Sequence, residues 1–83
     1  MITGFGRTGK WFASEKMNLY PDLMTMAKGL TSGYLPMAAV MVGDRVSSKL
    51  INDGGEFSHG FTYSAHPVSA AVALKNLEII QNL

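Results

Sequence analysis

The chain has 83 residues, at most one small domain, and a chain of that size buries only roughly 60% of its unfolded surface. It is 47% apolar and 16% charged, which excludes disorder and suits a segment of a larger core. The net charge is +1, the seven basic residues are scattered and cysteine is absent, so a nucleic-acid surface, disulfides and thiolate metal sites are excluded.

The opening Met1-Ile2-Thr3-Gly4 has no basic region followed by an apolar run, so no signal peptide is read there. Next comes "GFGRTGKW", residues 4 to 11. Gly4, Gly6 and Gly9 fit G-x-G-x-x-G, and Gly4, Gly9 and Lys10 fit most of G-x-x-x-x-G-K-[ST]. Both signatures need a strand before the loop and a helix after it. Only three residues precede Gly4, and Trp11 stands where the second signature needs a magnesium-binding hydroxyl. A plain glycine turn is the expectation.

Residues 10–18 carry a short helical pattern, with Trp11, Phe12 and Met17 on one side, and Tyr20-Pro21-Asp22 ends it. The apolar runs 23–27 and 37–42 suit short buried strands. The nine residues between them, 28–36, read as loop and are too few for a parallel crossover, which needs about a dozen. The two strands should therefore run antiparallel. Residues 44–52 read as a helix with Asp44 as N-cap and Val46, Leu50 and Ile51 inward. Asp53-Gly54-Gly55 breaks it, and 56–66 form an irregular aromatic and polar loop.

Residues 67–83 are the clearest helix. Pro67 fits the first helical position. Lys75, Glu78 and Asn82 form a polar stripe, and Ala70, Val72, Ala73, Leu74, Leu77 and Ile80 a wide apolar arc. No apolar stretch approaches the roughly 20 residues of a membrane span, and the expectation is a soluble cytoplasmic protein.

Two stretches carry candidate chemistry. Lys28 directly follows an apolar run and precedes glycine. At the end of a buried strand its ammonium would be partly desolvated, favouring the neutral amine, which attacks aldehydes. The alternative is a lysine that snorkels to water. In "HGFTYSAHP", Thr62, Tyr63 and Ser64 stand just ahead of the long helix. Hydroxyls there suit a phosphate, or Ser64 simply caps the helix.

At these residues the chain resembles a known family. "ITGFGRTG", "PDLMTMAKGLTSGYLPMAAVMV" and "HGFTYSAHPVSAAVAL" look like consecutive motifs of the class III, or omega, aminotransferases. The likeness runs from Ile2 to about Ile80. It implies an α/β fold: residues 1–83 as part of the large, cofactor-binding domain of a fold type I enzyme dependent on pyridoxal 5'-phosphate. The two antiparallel strands would belong to a mostly parallel sheet. The lysine of the "AKG" motif, which binds the cofactor aldehyde as a Schiff base, corresponds to Lys28. The threonine of "GFTY", which binds the cofactor phosphate across a homodimer interface, corresponds to Thr62. The glycine-arginine segment resembles a structural turn, and no ligand role is carried onto Arg7 or Lys10.

The substrates implied are an amine or omega-amino acid as donor and a keto acid such as pyruvate as acceptor. The family usually has glycine where this chain has Ala65; if that position needs positive φ, alanine costs roughly 1 kcal/mol or more. In the family an aspartate that pairs with the pyridine nitrogen lies just upstream of "ITGFGR", where this sequence begins, so an interior piece of a longer chain is expected, inactive by itself. Two other readings stay open: a related fold type I enzyme such as an aminomutase, and an inactive module that pairs through exposed apolar surface.

Overall fold

The computed structural model describes all 83 residues. In chain order its elements are helix α1 (Ala13–Lys16), strand β1 (Leu23–Met26), a 3-10 turn (Lys28–Thr31), strand β2 (Ala39–Val42), helix α2 (Asp44–Asp53) and helix α3 (Pro67–Gln81). The glycine-rich start is a series of turns. Phe5 N–H donates to the Trp11 carbonyl at 2.6 Å and Gly9 N–H to that of Gly6 at 3.1 Å. Phe5 and Phe12 then meet edge to face, with ring centroids 5.2 Å apart. No strand enters this loop and no helix opens at Gly9, so it is a glycine turn, as read. The helix expected over 10–18 shrinks to the single turn α1, because Asn18 adopts φ 55°, outside the right-handed helical region.

β1 and β2 pair antiparallel, with Leu23 opposite Val42 and Met26 opposite Ala39. Orientation and partners match the expectation, and each strand is shorter than its apolar run. Burial differs. Met26 is buried and Met24 half-buried, but Val40, Met41 and Val42 are exposed. Alternation along β1 sets Met24 and Met26 on one face, while β2 has only β1 as a broad partner.

Gly43, not Asp44, occupies the N-cap of α2, and Asp44 lies in the first turn, where its charge suits the helix dipole. Arg45 pairs with Asp22 ahead of β1. Val46 is half-buried, but Leu50 is exposed and Ile51 80% exposed, so the inward face expected for α2 is only partly covered in this chain. The buried residues are Met26, Leu30, Thr31, Ala73 and Asn76; four of them lie where α3 packs on the 3-10 turn. The small Ala73 lets the helix approach closely, and Thr31 Oγ1 donates to the Leu35 carbonyl at 2.7 Å.

Candidate functional site

Lys28 stands where β1 gives way to the 3-10 turn. Ala27 is extended at φ −162°, and Lys28 switches to φ 50°. That left-handed conformation costs a side-chain-bearing residue about 1–2 kcal/mol. Continued alternation would send Lys28 to the same face as Met24 and Met26. The switch breaks the series and leaves Lys28 exposed. These 83 residues therefore do not supply the desolvation expected from its place after an apolar run.

The turn itself is closely held. Leu30 N–H donates to the Ala27 carbonyl at 3.1 Å, and Gly33 N–H to that of Lys28 at 2.9 Å. Gly33 at φ 77° lets the chain leave the turn. Gly29 touches Phe5, and a Cβ at that position would lie 3.1 Å from the Phe5 Cβ. The glycine of "AKG" is thus a close-approach glycine: it lets the glycine-rich start lie against the lysine's turn.

Asn76 of α3 holds the turn from the other side. Its Nδ2 donates to the carbonyls of Gly29 at 2.7 Å and Leu30 at 3.0 Å, and its Oδ1 accepts from Ser32 Oγ. The sequence reading missed it. The signal was available, since Asn76 is a polar residue three places after Ala73 and four before Ile80, inside the apolar arc.

Two hollows flank Lys28. One, of about 400 Å³, includes Arg7, Lys28, Gly29 and Ser32 in its lining. The other, of about 680 Å³, runs from Ala27 and Lys28 to Leu35–Ala38. The chain's ion pairs engage Arg45, Lys49 and Lys75, so the Lys28 ammonium has no carboxylate partner. A further hollow beside β1 and β2, lined in part by Phe12, Met24 and Met41, does not include Lys28.

Thr62 is exposed in the turn before α3. Phe57, His59 and Phe61 approach it as an edge-to-face aromatic series. Ser64 Oγ accepts from Phe61 N–H at 2.9 Å, which fixes the turn. The cap of α3 is His66, whose Nδ1 accepts from Val68 N–H at 3.2 Å, and Pro67 takes the first helical position. A hollow of about 700 Å³ lies between this turn and Leu35–Ala38, so that segment walls it as well as the larger Lys28 hollow. Thr62 lines neither hollow at Lys28. Ala65 adopts φ 58°, so the condition set for a cost at that position is met.

The family model Aminotransferase class-III matches residues 1–83. A putrescine–pyruvate aminotransferase of Pseudomonas aeruginosa is 59% identical over 81 residues, which are 98% of this chain and 18% of that protein. A vanillin aminotransferase of Capsicum frutescens is 51% identical over 95% of this chain and 18% of its own length. The crystal structure of a transaminase from the marine bacterium Virgibacillus superposes with a TM-score of 0.91 at 54% identity, covering 99% of this chain and 19% of that one. The chain thus spans under a fifth of the length of these relatives. It is an α/β segment of a transaminase fold and belongs to the class III aminotransferases.

Proposed function

We propose that this segment supplies the covalent anchor for pyridoxal 5'-phosphate in a class III aminotransferase, with Lys28 as the anchoring amine. The observation that carries the reading is the backbone at Lys28, an exposed lysine at φ 50° on a turn held from two sides. Strain of this kind collects at functional sites. The residues fit the group in two respects: the amine has no competing carboxylate, and open hollows lie beside it. When bound, the cofactor supplies an aldehyde and an electron-withdrawing ring.

Lys28 Nζ would bind that aldehyde, yield it to the incoming amine, and then take a proton from the substrate carbon that bears nitrogen. Lys28 would hold that proton and then give it up, regenerating the free amine. Water provides the oxygen of the carbonyl product, and a keto acid such as pyruvate receives the nitrogen in the reverse sequence. The donor is an amine or omega-amino acid, a reading supported by the printed names of the putrescine–pyruvate and vanillin relatives. Residues 1–83 would form part of the cofactor-binding large domain. Thr62 would bind the phosphate of the neighbouring subunit's cofactor in a homodimer; its exposure and its absence from the lining of the Lys28 hollows support that reading.

The test is Lys28→Ala in a complete class III aminotransferase chain carrying these residues. The visible absorbance of bound cofactor and the amine half-reaction should both disappear. An unchanged spectrum removes Lys28 from the role.

A further inference from the structure

The amine at position 28 is only as well placed as the turn beneath it, and that turn answers to a residue 48 positions further along the chain. Asn76 is 9% exposed. Three hydrogen bonds tie its amide to the turn: Nδ2 donates to the Gly29 and Leu30 carbonyls, and Oδ1 accepts from the Ser32 hydroxyl. A buried amide satisfied in this way fixes geometry, because each bond lost would leave a desolvated group behind. Its neighbour Ala73 is buried against the same turn. No other side chain bonds the carbonyls of Gly29 and Leu30, which immediately follow Lys28. Those carbonyls belong to the two peptide planes that follow the Lys28–Gly29 link, so holding them holds the turn on which the lysine stands.

We propose that Asn76 is the positioning residue for Lys28, holding the 3-10 turn in register so that Nζ meets the substrate carbon at proton-transfer distance. The inference rests on the reading of Lys28 as the cofactor-bearing amine. Asn76 touches neither substrate nor cofactor; its effect passes through the backbone of Gly29 and Leu30. Loss of its amide donors should slow proton transfer while leaving amine binding intact, since displacement of a reacting group by about 1 Å can cost as much as 100-fold in rate.

The experiment uses a complete class III aminotransferase chain carrying these residues, loaded with cofactor. Asn76→Asp keeps the shape and removes both donors. Ser32→Ala, at an exposed position, removes only the third bond. Single-turnover measurements with the amine donor separate rate from affinity. For Asn76→Asp the expected result is a loss of about tenfold or more in the half-reaction rate, with amine affinity within about twofold. For Ser32→Ala a smaller loss of about threefold in the same direction is expected. Should Asn76→Asp fail to fold, Ser32→Ala decides. Rates within about twofold of the parent in the folded variants overturn the proposal. A Lys28→Ala control that keeps its bound-cofactor spectrum overturns instead the reading of Lys28 on which it stands.

Discussion

At the scale of single residues, Lys28 and Ala65 share a backbone state and differ in what they gain from it. Both sit near φ +55° (50° and 58°), where a Cβ is crowded by its own backbone. At Lys28 the left-handed state takes the side chain off the strand's alternating faces and leaves it exposed. At Ala65 nothing comparable follows: the methyl group is exposed in the turn that leads into α3. Ala65→Gly in a complete chain should therefore stabilise by about 1 kcal/mol, relief of strain outweighing the extra freedom of glycine in the unfolded state. Chemical denaturation with and without the substitution checks this; a loss of stability would mean that the alanine methyl makes a contact outside these 83 residues. The position was legible from the resemblance, which flags glycine there, but the sign of φ belongs to the structure. The Lys28 conformation was not legible, since lysine carries no preference for it.

At the scale of elements, the sequence was most readable where pattern and punctuation coincide. Pro67 opens α3 as expected, and the nine-residue spacing settles the antiparallel pairing of β1 and β2. It was least readable where a local pattern depends on a distant partner. Residues 28–36 read as loop, yet Lys28–Thr31 form a 3-10 turn, bonded by an amide from α3. The alternation and spacing rules used on that stretch look a few residues ahead, and Asn76 lies far beyond that range. The same reasoning covers α2. Its apolar positions were assigned inward by periodicity alone, and Leu50 and Ile51 are exposed because their cover is not among these residues. The cap of α3 shifted from Ser64 to His66 since the serine is already engaged with Phe61 N–H.

At the scale of the whole molecule, the chain is too open to stand alone. Its accessible surface is 6748 Å², against about 4900 Å² for a compact monomer of 9.0 kDa. Its radius of gyration is 14.3 Å, where a compact domain of this length has about 12 Å. Large side chains such as Met41, Tyr34, Phe61 and Leu74 are exposed. Only five residues are buried, so the chain has almost no core of its own. The isolated 83-residue chain should show no cooperative thermal transition, little amide protection and no transamination. A sharp transition with protected amides in α3 would contradict that.

The central claim is that a single amine, at position 28, carries the cofactor. The most direct measurement is borohydride reduction of a cofactor-loaded complete chain bearing these residues, followed by proteolysis and mass spectrometry. The expected result is one pyridoxyl mass addition, located on Lys28. An addition on Lys10, Lys16 or any other lysine would contradict it.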